Sequence, residues 1–395
     1  MPGTPGIYLH IPFCERKCTY CNFNTTDFAN GLAARYIRAL AREIKYWGDH
    51  LAQRNGGQRL LVDSVYFGGG TPSLVEARQL ADLIEQCKET FRLSQDAEIT
   101  IEINPGSFSR PKLAQWLEAG INRASVGIQS FIDSELKSLS RTHTAEDARH
   151  TVESLREAGF KNLSLDLIAG FPEQTIADWE FNLGEALRLN PEHLSLYLLE
   201  VKEGTQLFAQ IKRGARPVPD DDSVAEMYRI ICRITREAGY DHYEISNFAK
   251  IAAKLGTSAP TNSLRSKHNL KYWTGAPFYG MGCGAHSYDG QVRWFNTLQT
   301  EAYIESVSKT GRAIAQTREL TERERAEEAL FMGLRLGDGI ILKDFNQEYS
   351  IDLLRDYDKE VRRMVEAGLV QVDGDRIGLT ETGMLLSNEV FIAFV

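Results

Sequence analysis

Short β-type runs alternate with amphipathic helical stretches through the first two-thirds of the chain, and this alternation constrains the fold more than any other feature. The runs 7–11 (IYLHI), 62–67 (VDSVYF), 98–103 (EITIEI), 123–129 (RASVGIQ), 162–170 (NLSLDLIAG) and 193–201 (HLSLYLLEV) read as strands. Apolar spacing predicts helices over about 32–47, 76–91, 144–158 and 220–238. The third stops at Gly159, as a helix C-cap does, and the last opens on Asp220, Asp221 and Asp222, whose carboxylates suit a helix N-terminus. Strand–helix alternation at this spacing implies right-handed crossovers and a parallel sheet. Six such units predict an α/β fold built as a partial (β/α)6 TIM-type barrel. A doubly wound open sheet is the alternative, because sequence does not fix strand order. In either case the chemistry belongs at the C-terminal strand ends. A cysteine-rich loop, a triple glycine, Glu102, Gln129 and Asp166 all fall there.

The barrel is expected to span 1–250. A connecting region, 251–318, opens with the small-residue loop 251–266 and continues into a Gly- and aromatic-rich stretch at 268–290. From 319 to 395 charged helices surround a hairpin at 369–380, with Asp373-Gly374 in the turn, which suggests a small winged-helix-like α+β domain. Such domains often bind DNA, but a net charge of −9 argues against a nucleic-acid partner. No apolar run is long enough to span a membrane and no secretory pattern opens the chain, so the expected location is the cytoplasm. Disulfides seldom persist there, which turns attention to metal chemistry.

Cys14, Cys18 and Cys21 follow the first strand with the spacing C-x3-C-x2-C. A structural zinc site wants four closed ligands, commonly in two pairs, and no second pair exists. His10 is a conceivable fourth ligand but would have to break its strand. Cys87 and Cys232 fall in helices and read as core, whereas Cys283 sits among glycines and stays open. Three thiolates on a [4Fe–4S] cube leave one iron without a protein ligand, free to bind a substrate or cofactor.

This loop resembles that of the radical S-adenosylmethionine (radical SAM) superfamily. The resemblance implies that the open iron chelates the amino and carboxylate groups of S-adenosylmethionine and that one electron then breaks a carbon–sulfur bond of the cofactor. Gly68-Gly69-Gly70-Thr71-Pro72 after the second strand fits it, with Gly69, Gly70 and Thr71 expected along the methionine end. Over nearly the whole chain the sequence is similar to relatives of oxygen-independent coproporphyrinogen dehydrogenase, the HemN-like group. That likeness implies Tyr8 near the cofactor, Tyr20 beside the cluster, Glu102 and Arg141 on the amino-acid part, and Gln129 and Asp166 on the ribose.

The dehydrogenase carries a further cysteine two positions after the third, where this chain has Phe23. That departure argues against decarboxylation of coproporphyrinogen and resembles the sister branch of heme chaperones, HemW. His268-Asn269-Leu270-Lys271-Tyr272-Trp273 fits the H-N-x-x-Y-W motif of that branch, which implies heme contact by His268, Tyr272 and Trp273. His286 and Cys283 compete with His268 as iron ligands. The expected function is therefore a heme chaperone that binds a [4Fe–4S] cluster, S-adenosylmethionine and heme and passes heme to acceptors such as respiratory enzymes. Peripheral association with the inner face of the membrane and heme-dependent homodimerisation accompany it. The alternatives are an enzyme acting on coproporphyrinogen or another tetrapyrrole, and a zinc-stabilised α/β protein whose winged domain binds a partner.

Overall fold

A computed structural model describes residues 3–251 and 264–394; most of the expected loop at 251–266 lies outside the described residues. The principal strands are β1 (Gly6–Ile11), β2 (Leu61–Gly69), β3 (Arg92–Ile103), β4 (Arg123–Gln129), β5 (Leu163–Ala169) and β6 (His193–Leu198). They continue as β7 (Tyr240–Glu244), β8 (Asn247–Lys250), β9 (Phe278–Met281), β10 (His286–Tyr288), β11 (Val292–Asn296) and β12 (Ile314–Glu319). All twelve form one sheet in the order β12-β11-β10-β9-β1-β2-β3-β4-β5-β6-β8-β7. Strands β1 to β6 lie side by side in chain order and all parallel. A doubly wound sheet would reverse its order at a switch point. The unbroken order selects the partial barrel.

The helices that cover this sheet are α1 (Asn30–Arg54), α2 (Ala77–Thr90), α3 (Arg110–Ala119), α4 (Asp133–Ser138), α5 (Ala145–Ala158), α6 (Ile176–Arg188), α7 (Gln206–Lys212) and α8 (Asp221–Glu237). Helix α1 buries Tyr36, Leu40, Ile44, Trp47 and Leu51, the repeat that places one stripe on the sheet. Helix α5 starts at a capping box between Thr144 and Asp147 and ends at Gly159 in the left-handed conformation. The Asp220 side chain accepts from the Ser223 N–H at the start of α8. These caps satisfy terminal amides that otherwise have no helical partner.

Beyond β1 the sheet continues with β9, parallel to β1, and then with the antiparallel strands β10, β11 and β12. The region read as a connector therefore builds a third of the sheet. Glu43 of α1 holds it in place. This fully buried carboxylate accepts from the Gly282 N–H (2.8 Å), Asn296 Nδ2 (2.8 Å) and the Tyr303 hydroxyl (2.7 Å). Burial pushes its pKa up to about 7, against the pull of these three donors. A carboxyl whose pKa is raised on folding binds more protons folded than unfolded between its two pKa values, so stability falls as pH rises through that window, about 4.5 to 7. Denaturant melts at pH 5 and pH 7.5 are expected to show this slope in the wild type and a smaller one in Glu43→Gln, where Glu102, also raised to about 7, still contributes. Glu43→Ala, which strands all three donors, is expected to cost about 3 kcal/mol.

Two further helices, α9 (Lys267–Thr274) and α10 (Thr300–Thr310), precede a C-terminal unit that starts at α11 (Glu322–Gly333). There β13 (Ile340–Ile341), β14 (Val370–Asp373) and β15 (Arg376–Leu379) form a small antiparallel sheet whose β14–β15 hairpin is the one predicted at 369–380. The unit is keyed into the large sheet. The Gly337 N–H donates to the Tyr243 carbonyl of β7 at 2.9 Å, and a side chain on Gly337 would meet the His242 carbonyl. Arg265 bridges Asp241 (2.7 Å) and Asp338 (2.6 Å).

Candidate functional site

The cysteine loop is pinned at both ends. Phe13–Cys14 pairs in parallel with Thr26–Asp27, and the Phe28 N–H donates to the Cys14 carbonyl at 2.9 Å. Between them a tight turn joins the Cys18 carbonyl to the Cys21 N–H (3.2 Å), and the Thr19 N–H donates to Leu139 O. All three thiols are free and partly exposed. The Thr71 hydroxyl donates to Cys14 Sγ (3.7 Å) and Arg141 Nη1 to Cys18 Sγ (3.5 Å). Burial raises the Cys14 thiol to about 11 and also raises Cys21. Donors aimed at sulfur suit thiolates that carry negative charge onto a metal. Among the described residues no three His, Cys, Asp or Glu side chains are gathered as around a single ion.

Glu102, at the end of β3, and Asp166, in the middle of β5, lie on either side of β4. Glu102 accepts from the Tyr66 hydroxyl (3.0 Å) and from the Gly69 N–H (2.9 Å). Burial, with Asp166 adding repulsion, raises its pKa to about 7 even though the Gly69 N–H pulls the other way. Asp166 accepts from Ser125 (3.0 Å) and Ser164 (3.2 Å), and burial raises its pKa too. Gln129 ends β4 with a φ of +69°, a left-handed backbone that a non-glycine residue adopts at some strain. Arg141 reaches Asn104 and the Gly127 carbonyl (2.6 Å), while its buried Nε has no partner among the described residues. A carboxylate-bearing ligand is the natural complement of that guanidinium. Tyr8 donates toward His10 Nδ1 at 3.1 Å, and Tyr20 packs with Leu139, Ile168 and Phe171.

The glycines permit close packing here. The Gly69 N–H is held by Glu102 and the Gly70 N–H by the Ile11 carbonyl (2.8 Å). A Cβ on Gly69, where φ is +119°, would lie 2.5 Å from His10, and one on Gly70 would lie 2.7 Å from the Phe13 carbonyl. Their smallness lets β2 close against the cysteine loop and so brings Glu102 up to it.

The H-N-x-x-Y-W segment lies at residues 268–273. It forms α9, which plugs the sheet from within. His268 is 1% exposed, with Nδ1 3.0 Å from Ser64 Oγ and Nε2 3.0 Å from the Tyr272 hydroxyl. Its ring stacks on Tyr66 (5.2 Å), and burial, reinforced by Lys271 and Arg123, drives its pKa down to about 3. Tyr272 packs edge-on to Phe278, and Arg335 covers the Trp273 ring at 4.3 Å. In this structure the three residues form a packed polar–aromatic plug, with each His268 ring nitrogen within hydrogen-bond distance of a hydroxyl. Cys283 is buried against Asn24 (Nδ2 to Sγ, 3.6 Å), while His286 is exposed.

Sequence reasoning passed over Tyr66, Asn104 and Asn24. Tyr66 sits opposite Tyr8 in the register of β1 and β2, so strand alternation alone would have put it on the same face. Asn24 donates to the Cys283 (3.2 Å) and Leu298 (3.0 Å) carbonyls, and its own carbonyl lies 2.9 Å from His10 Nε2. Nothing local marks that role.

Residues 8–183 match the radical SAM superfamily and residues 320–386 match the HemN C-terminal domain. The chain is 36% identical over 391 residues to the heme chaperone HemW of Bacillus subtilis (strain 168), covering 99% of each chain. This chain belongs to the radical SAM superfamily and, within it, to the HemW family. It is also 34% identical to the mitochondrial radical S-adenosyl methionine domain-containing protein 1 of Bos taurus, across 100% of this chain and 88% of that one. Among solved structures, coproporphyrinogen III oxidase (HemN) from Escherichia coli, a radical SAM enzyme, superposes with a TM-score of 0.82 at 24% identity, covering 100% of this chain and 91% of that chain. That likeness bears out the fold. It places the HemW-family chain on a HemN-type barrel with its C-terminal domain attached.

Proposed function

We propose that this chain is a heme chaperone that carries a [4Fe–4S] cluster and S-adenosylmethionine and delivers heme to acceptor proteins. The observation that carries the reading is full-length similarity to proteins named heme chaperone HemW, joined to Phe23, which is 63% exposed beside the cysteine loop where the dehydrogenase pattern has another thiol. Cys14, Cys18 and Cys21 would hold the cluster, whose chemistry when bound is one-electron reduction at an open iron. Glu102 meets the amino group and Arg141 the carboxylate of the cofactor, while Asp166 and Gln129 face its ribose hydroxyls. Tyr8, Tyr20 and Thr71 line the same space and exclude water from it.

Recipients are expected among respiratory enzymes, with heme-dependent pairing of two copies and peripheral docking at the inner face of the membrane. Among the described residues no helix is long and apolar enough to cross a membrane. Heme titration of the anaerobically reconstituted protein is expected to give a saturable Soret band. The same sample, given coproporphyrinogen, S-adenosylmethionine and a strong reductant, is expected to yield no decarboxylated product. Heme uptake no better than by an unrelated acidic protein, or product formation, would sink the proposal.

A further inference from the structure

Behind Asp166 a run of hydrogen bonds leads away into the interior. Ser164 Oγ lies 3.2 Å from Asp166 Oδ1 and 2.8 Å from His193 Nδ1. His193 Nε2 lies 2.8 Å from the Tyr243 hydroxyl, whose oxygen accepts from the Ser266 N–H at 3.4 Å. The run therefore links β5, β6 and β7 to the residue that caps α9. The sheet register sets it up. Ser164 pairs with Ser125 on one side and with His193 on the other, so these residues share a face, and Asp166, two positions on, shares it too. Ser195, opposite Asp166 in the register, adds a further hydroxyl 3.2 Å from Ser164 Oγ.

The two ends fix the direction of the protons between them. A peptide N–H only donates, so the Tyr243 oxygen accepts from Ser266, and among the described residues the acceptor for its own proton is His193 Nε2. A neutral ring then carries its hydrogen on Nδ1 and donates it to Ser164 Oγ. Burial, with Arg123 adding repulsion, holds the His193 pKa well below its usual value and keeps the ring neutral. Ser164 is left to donate to Asp166, and an ionised carboxylate only accepts. Peptide and carboxylate thus impose the same polarity from opposite ends. Ser266, Tyr243, His193 and Ser164 are all fully buried. Apolar side chains of the same shape would fill a dry interior about as well, because a buried hydrogen bond adds little net stability. Asp166, where the run ends, is only partly buried. Ser125 sits 3.0 Å from both of its oxygens, whereas Ser164 engages Oδ1.

We propose that His193 is a positioning residue for S-adenosylmethionine: with its hydrogen on Nδ1 it turns the Ser164 hydroxyl onto Asp166 and holds that carboxylate ready for the ribose hydroxyls. The assignment rests on the reading that Asp166 faces the ribose. In the opposite tautomer Ser164 would donate to Nδ1 and turn its lone pairs toward the carboxylate, which repels them. Tyr243 acts one step further back, donating to Nε2 and so excluding that tautomer.

The test measures binding of S-adenosylmethionine, and of an analogue lacking both ribose hydroxyls, by equilibrium dialysis against anaerobically reconstituted protein. Iron and sulfide content and circular dichroism check each variant. Wild type should prefer S-adenosylmethionine to the analogue. His193→Phe and Tyr243→Phe should each weaken S-adenosylmethionine binding about tenfold and leave analogue binding unchanged, and the double variant should be no worse than either alone. His193→Asn, whose amide still donates to Ser164, should recover most of the loss. Nitrogen NMR of isotope-labelled histidine in the wild type, assigned by the signal missing from His193→Asn, should show Nδ1 protonated and Nε2 bare. A hydrogen on Nε2, or equal losses for the two ligands, overturns the positioning role and leaves Asp166 on the ribose. A wild type that binds both ligands alike takes Asp166 off the ribose and the role with it. The wild-type spectrum decides the matter even where a variant fails to fold.

Discussion

Cys18→Ala protein, purified and reconstituted without oxygen, is expected to be nearly colourless, with iron and sulfide falling from about four of each per chain to below one. Each thiolate anchors one iron of the cube, so two anchors leave half of it unheld. The structure makes Cys18 the most telling of the three. Arg141 donates to its sulfur from the same guanidinium that also grips Asn104 and the Gly127 carbonyl. Removing the sulfur disturbs the cluster and the cofactor's carboxylate partner together, so added S-adenosylmethionine should leave whatever reduced signal remains unchanged. A colourless wild type that retains zinc would refute the cluster outright.

Glu102→Gln is expected to weaken S-adenosylmethionine binding by about 10- to 100-fold, the worth of one charge-assisted contact to the cofactor's amino N–H. The side chain keeps its shape and the Tyr66 hydroxyl can still donate to its carbonyl oxygen, but its amide nitrogen no longer accepts from the Gly69 N–H. Wild-type affinity should also depend on pH. Burial raises the carboxyl's pKa to about 7, and protonation removes the charged acceptor for the cofactor's amino N–H, so affinity holds above that pH and falls up to about tenfold per unit below it. Glu102→Gln should lose this slope. Equilibrium dialysis between pH 6 and 8 reads both effects, and a flat wild-type profile would contradict the assigned partner.

The parallel half of the sheet was legible in the sequence because each of its strands is a run of apolar residues next to a periodic helix. RASVGIQ at 123–129 is β4 to the residue. Helix α1 runs from Asn30 to Arg54, past both expected ends, since its polar flanks carry little apolar periodicity. Strands β7 to β12 went unread. They are short and, apart from the parallel pairing of β9 with β1, antiparallel, and their residues (YDHYE, NFAK, HSY) are shaped by tertiary pairing more than by alternation. The placement of Cys14, Glu102 and Gln129 at strand ends followed from the strands alone, whereas Asp166, expected at an end, sits in the middle of β5. The fate of His268 did not, because its burial depends on Ser64, Tyr66 and Glu98, all some 170 or more residues earlier in the chain. Local sequence also gives no sign that Gly69 and Gly70 pack against His10 and Phe13.

The way Gly337 lies against His242, with Arg265 clasping an aspartate on either side of the seam, has a practical consequence. The two family-matched segments are not beads on a string. Excising the last 75 or so residues would leave Arg265 half-quenched, strip Arg335 from the indole of Trp273 and open the edge strand to any passing β-chain. Heme-delivery work on trimmed fragments would therefore report on a damaged scaffold.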